Sequence, residues 1–183
     1  MALVGTKIWY PVVRDDARGF FAELWKSGDG DKKFGQIEQL NMSRSRKGVL
    51  RGMHLQHTEP MGKVMTVISG KAILAAVCCN PEDKRFREVI QLEADSNNPT
   101  MFYADAGWAR GFLALEDNTC VVYACTGRYT GSGEIAINPF SVPGLQWPAM
   151  EFIVSEKDQI APSFQEHWIQ EWHKDTVDWK SVR

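Results

Sequence analysis

Val64-Met-Thr-Val-Ile68, the turn Ser69-Gly70, then Ala72-Ile-Leu-Ala-Ala-Val77 and the break at Asn80-Pro81 decide the fold. Both runs are short and apolar, the first rich in β-branched residues, and both end at residues that punctuate strands. The same grammar continues outward. Runs at 88–92, 100–103, 112–115 and 120–124 read as further strands, separated by Ser96-Asn-Asn-Pro99, Asp105-Ala-Gly107 and Glu116-Asp-Asn118. No intervening segment is long enough for a crossover helix, which excludes a βαβ architecture. Regular short strands over 7–153 predict an all-β sandwich or barrel, and the glycines beside them, such as Gly52, Gly70 and Gly111, suit the corners of a jelly roll.

Composition narrows the function classes. A chain of 183 residues is one domain by size, and 44% hydrophobic residues are enough to bury a core. The net charge of −2, with no long basic block, argues against nucleic acid as a partner. The start of the chain, 1–13, lacks the features of a signal peptide, and no apolar run reaches membrane-spanning length, so the expected location is the cytoplasm, with no membrane partner. The four cysteines form no CxxC pair, and Cys78-Cys79 reads as a pair of buried free thiols on a strand. Only the tail at 163–183 changes character: Ser163 is placed to cap a helix beginning near Phe164, with Trp168, Trp172 and Trp179 packing it against the outside of the barrel.

The densest group of polar side chains runs from Gln39 to Gln56 and contains Gln39, Asn41, Arg51, His54 and Gln56. Residues two apart on a strand share a face, so Gln39 projects with Asn41, and His54 with Gln56. On a solvent face this pattern carries no message. Inside a barrel, amides, Arg and His make a recognition surface for an oxygen-rich ligand.

The strings Asp16-Ala-Arg18-Gly-Phe-Phe21-Ala-Glu23, Gln39-Leu-Asn41, Gly48-Val-Leu-Arg51-Gly-Met-His54-Leu-Gln56, Gly62-Lys63, Gly107-Trp-Ala-Arg110-Gly-Phe112, Tyr123 with Tyr129 and Glu134, Trp147-Pro148 and Ser155-Glu-Lys157-Asp158 together resemble the dTDP-4-dehydrorhamnose 3,5-epimerase family, in order and over nearly the whole chain. The resemblance implies a double-stranded β-helix (the cupin jelly roll) and a homodimer. It also implies no metal or other cofactor, and a nucleotide-linked 4-keto-6-deoxy sugar, dTDP-linked, as substrate. Such chemistry needs a base, a counter-charge for an enolate oxygen, and an acid on the other face of the sugar. By resemblance His54 is the base, Asp158 holds its ring, Lys63 meets the enolate and Tyr123 returns the proton. Arg18, Phe21, Glu23, Gln39, Asn41, Arg51, Arg110, Tyr129, Glu134 and Lys157 match substrate-binding positions, with part of the Arg18 segment donated by the dimer partner.

The chain departs from the family pattern at Arg110, where members commonly carry His, a difference that bears on which sugar is accepted or which carbon is inverted. Leu55 replaces a common aromatic, and Asn138-Pro139-Phe140 stands where an acidic pair is usual. Two other functions fit the same fold: a metal-dependent isomerase or dioxygenase using His54, His57 and Glu59, and an inactive nucleotide-sugar-binding module. An Arg at position 110 cannot ligate a metal, which weakens the first. A binding module has no need of an acid, a base and a ketone-facing cation together.

Overall fold

The structure, a computed structural model, describes residues 5–26, 35–131 and 133–165. Its strands are β1 (Thr6–Trp9), β2 (Val13–Asp16), β3 (Gly19–Ala22), β4 (Gln39–Ser45), β5 (Val49–Gln56), β6 (Lys63–Ser69), β7 (Lys71–Cys78), β8 (Val89–Asp95), β9 (Met101–Ala104), β10 (Trp108–Ala114), β11 (Thr119–Cys125), β12 (Glu134–Ala136) and β13 (Ile153–Val154). One helical turn, α1 (Glu156–Gln159), follows β13.

The pairing explains the architecture. β7 and β8 form an antiparallel pair, and the strands on either side of them pair in nested order: β6 with β9, β5 with β10, β4 with β11. This is one long antiparallel ribbon, and its successive strands alternate between two sheets. Further ladders, β7 to β10 and β6 to β11, sew the turns of the ribbon together. The result is the expected double-stranded β-helix, with a five-stranded sheet β1-β9-β6-β11-β4 and a six-stranded sheet made of β12-β5-β10-β7-β8 with β13 alongside β5.

Between the sheets, Met65, Leu74, Phe102, Trp108, Phe112 and Val121 form an apolar core. The outer face of the six-stranded sheet is also covered: Met53, Leu55, Ala75, Val77 and Ala109 pack against Ile137, Val142 and Phe164 from the C-terminal segment. Every residue of β10 is therefore buried, so its sequence shows no alternation. This is why the run expected at 112–115 proves to be part of a strand that starts at Trp108. Arg110-Gly111 interrupts the apolar pattern, yet Gly111 is needed inside the strand because a Cβ there would lie 2.6 Å from the Arg51 carbonyl oxygen.

Cys78 ends β7 and Cys79 follows it, both buried and unbridged, and burial pushes the Cys78 thiol up to about 12. No helix among the described residues is long and apolar enough to cross a membrane. Phe164 and Gln165 are helical, but the rest of the tail with its three tryptophans lies outside the described residues.

Candidate active site

At one end of the barrel the apolar core gives way to a cavity of about 540 Å³, lined mainly by inward residues of β4, β5, β6, β10 and β11. The transition happens along single strands. On β11, Val121 belongs to the core, and Tyr123 and Cys125, on the same face, line the cavity. Across the five-stranded sheet, Tyr123 is in register with Asn41 and Met65, and Cys125 with Gln39 and Lys63.

On the opposite wall, β5 carries Arg51 and His54. Strict alternation puts residues three apart on opposite faces, yet both line the cavity. A bulge reconciles them: Arg110 pairs with His54 and Phe112 with Arg51, so β5 spends an extra residue between them. Gly52, in the bulge, has φ +114°, a conformation open to glycine and strained for other residues.

His54 lies between two carboxylates. Its Nε2 is 2.5 Å from Asp158 Oδ1, and its Nδ1 is 3.8 Å from Glu134 Oε1. Asp158 is 2% exposed. The Ser155 hydroxyl caps α1 and accepts the Asp158 N–H at 3.2 Å, and Gly52 N–H donates to Asp158 Oδ2 at 3.3 Å, so the carboxylate is aimed from both ends. Burial opposes its ionisation, but the hydrogen bond and charge of His54 and the Gly52 N–H outweigh that and hold the carboxyl below its ordinary range. A carboxylate on Nε2 fixes the proton there and leaves the Nδ1 lone pair free to act as a base.

Glu134 accepts a hydrogen bond from the Lys157 ammonium and another from Tyr129 Oη at 3.3 Å. Against the effect of burial, Lys157 and His54 keep it a carboxylate, below the usual range. Lys63 is pulled the other way: burial first, then the nearby Arg110 guanidinium, lower its proton affinity. The Lys63 ammonium stands 5.6 Å from the centre of the Tyr123 ring. Arg110 is buried. Its Nη2 donates to the carbonyls of Met61 (2.6 Å), Ala104 (3.1 Å) and Asp105, while Nε and Nη1 have no hydrogen-bonding partner among the described residues. These acceptors are main-chain carbonyls of the barrel wall, so the fold itself holds the guanidinium in place.

Gln39 Oε1 accepts the Tyr129 N–H at 2.8 Å, and Gln56 holds the same loop through Arg128 O and Thr130 N–H. Gln56 thus shares the His54 strand face but serves the scaffold. Of the expected site residues, His54, Asp158, Lys63, Tyr123, Gln39, Asn41, Arg51, Arg110, Tyr129 and Glu134 line one cavity, and Lys157 reaches it through Glu134. Arg18, Phe21 and Glu23 do not. Arg18 is exposed and pairs with Asp16 at 2.6 Å, while Phe21 and Glu23 line a separate cleft with Trp9 and Trp25. Cys125, Met61 and Ser155 line the cavity unforeseen; the alternation running from Tyr123 and the spacing of Ser155 to Asp158 were the available signals for two of them. His57 and Glu59 do not line it, and no three His, Cys, Asp or Glu side chains among the described residues are grouped to hold a metal ion.

A jelly roll of the cupin type whose polar cavity joins an oriented imidazole, a phenol on the facing sheet and an ammonium beside that phenol defines a class: an isomerase-type site for moving protons on carbon. The model of the family described as dTDP-4-dehydrorhamnose 3,5-epimerase matches residues 1–166, and the chain belongs to that family. The curated dTDP-4-dehydrorhamnose 3,5-epimerase of Methanothermobacter thermautotrophicus is 34% identical over 165 residues, spanning 86% of this chain and 89% of that one. The crystal structure of the enzyme of that name from Sulfolobus tokodaii is 37% identical, with a TM-score of 0.81 over 89% of this chain and 92% of that one. The crystal structure of ChmJ, a 3'-monoepimerase from Streptomyces bikiniensis in complex with dTDP-quinovose, is 26% identical, with a TM-score of 0.84 over 91% and 87% of the two chains.

Proposed function

We propose that the chain inverts C3, C5 or both of a dTDP-linked 4-keto-6-deoxy sugar, with His54 as base, Tyr123 as acid and Lys63 as the enolate's counter-charge. The observation that carries this reading is that His54 projects from the six-stranded sheet and Tyr123 from the five-stranded sheet into the same cavity. A hydrogen beside the C4 ketone is acidic because the carbonyl oxygen takes up the charge left on carbon. His54 Nδ1 removes it, while Asp158 on Nε2 stabilises the imidazolium that forms. Lys63 and Arg110 surround the region where the oxygen becomes an enolate, and a buried cation is worth more there than in water. Tyr123 protonates the carbon from the opposite face, so the centre inverts. Arg51, lining the same cavity, suits the diphosphate, whose oxygens match its planar fork.

Incubating the protein with dTDP-4-keto-6-deoxyglucose in heavy water should place deuterium at C3, C5 or both, read by proton NMR. Absence of label with this sugar and with its GDP and CDP analogues would overturn the reading.

The active form is a homodimer in which the β2–β3 hairpin serves the partner's cavity. Phe21 is 63% exposed on that hairpin, away from its own chain's cavity, and the edge strand β4 presents Leu40 and Met42 at 70% and 64% exposure. Mixing an Arg18→Ala with a His54→Ala protein, each inactive alone, should restore about a quarter of wild-type activity. Half the dimers are then mixed, and each mixed dimer holds one site with both residues intact. A mixture as inactive as its components, or a monomer in sedimentation velocity, counts against the exchange.

A further inference from the structure

Inversion by a base on one face and an acid on the other leaves a debt in protons. After each inversion His54 holds the proton it took and Tyr123 lacks the one it gave, so the site must return one proton to water and recover another before the next. For a sugar inverted at two carbons this reset falls while the cavity is filled. We propose that Glu134 is the exit for the base: the Nδ1–H bond of His54 breaks, the proton passes to Glu134 Oε1, and Glu134 releases it to water at the rim, while Tyr123 regains a proton from water. The inference rests on the epimerase reading, with His54 as base.

The geometry favours Glu134 over the other carboxylate at the imidazole. Asp158 is on Nε2, the nitrogen that keeps its proton throughout, and its side chain is only 3% exposed. Glu134 faces Nδ1, the nitrogen that takes the substrate's proton, from 3.8 Å, and a movement of about 1 Å brings the two to hydrogen-bond length. Its side chain is 13% exposed, and its other oxygen is held by Lys157, itself 53% exposed, and by the Tyr129 hydroxyl. The carboxylate thus joins Nδ1 of the half-buried base to the exposed Lys157 ammonium on the solvent side of the cavity. The groups that face it are His54 on β5, Lys157 on α1, the Tyr129 hydroxyl and, farther off, Lys63 on β6; Lys157, His54 and Lys63 keep it ionised and so able to accept a proton. β12 places it there: Glu134 is in register with Gln56, two residues along the same strand from His54.

The test compares one turnover with many, using dTDP-4-keto-6-deoxyglucose in heavy water. With enzyme in excess, Glu134→Gln should slow removal of the first carbon-bound proton at least several-fold less than it slows steady turnover. With substrate in excess its turnover should fall by about 10- to 100-fold. Added imidazole or formate should restore turnover in proportion to concentration, and Glu134→Asp, which keeps a carboxylate, should recover part of it. If Glu134→Gln slows the first proton removal as much as steady turnover and buffers do not help, Glu134 is only a binding residue and the relay is wrong. Steady turnover equal to wild type overturns it as well. Failure of the epimerase reading is distinct, because the wild-type protein itself then incorporates no deuterium.

Discussion

Replacing His54 with alanine is expected to cut deuterium incorporation into the keto sugar by about 10³- to 10⁴-fold, the scale on which a positioned acid–base group works. Affinity for dTDP, measured by calorimetry, should stay close to wild type, because the diphosphate is assigned to Arg51 and not to the imidazole. The substitution also strands a carboxylate. Asp158 is 2% exposed and keeps only the Gly52 N–H and its cap contacts, so the folded state should lose about 1–3 kcal/mol at neutral pH. The sign of the pH dependence follows from the direction of its shift. The wild-type carboxyl is held below its unfolded value, so its contribution is present above about pH 4 and is lost as pH falls through the folded value. The stability gap between wild type and His54→Ala should therefore be widest at neutral pH and narrow in acid, as read from denaturant melts. Retained exchange in His54→Ala would remove the base from the mechanism.

Lys63→Met is expected to separate function from stability. Turnover should drop by about 10²- to 10³-fold, the usual consequence of deleting a group that stabilises an oxyanion. Stability should be unchanged or higher by about 1 kcal/mol, because methionine fills the same space without burying an ammonium near the Arg110 guanidinium. Burial, then Arg110, depresses the lysine's proton affinity, so the charged form costs stability at neutral pH. That cost is relieved as pH rises from the depressed folded value toward the ordinary lysine value of about 10.4, and wild type should gain on Lys63→Met across that window. In pH–rate profiles the wild-type alkaline limb should begin below the ordinary lysine range. A Lys63→Met protein with wild-type turnover and the same alkaline limb would show that another group carries the enolate charge.

How far the site was legible depended on whether local periodicity survives in the fold. On β11 it does: Tyr123 implies Cys125 on the same face, and both line the cavity. On β5 it fails, because the bulge between Arg51 and His54 turns residues three apart to one side. On β10 it was hidden, since a strand covered on both faces loses alternation and Arg110 reads as a break in an apolar run. The hairpin residues Arg18, Phe21 and Glu23 were legible as a motif, but their location away from the single-chain cavity was not.

By itself the sequence determined that the chain is all-β, because turn residues recur at intervals too short for crossover helices, and that an imidazole, an ammonium, a phenol and carboxylates are available in family order. Only the tertiary structure decided which of these meet. His54 and Asp158 are 104 residues apart in the chain and 2.5 Å apart in the fold. Nested pairing of a long ribbon brings such pairs together, and no short-range pattern in the chain records which nitrogen of His54 faces Asp158 and which faces Glu134.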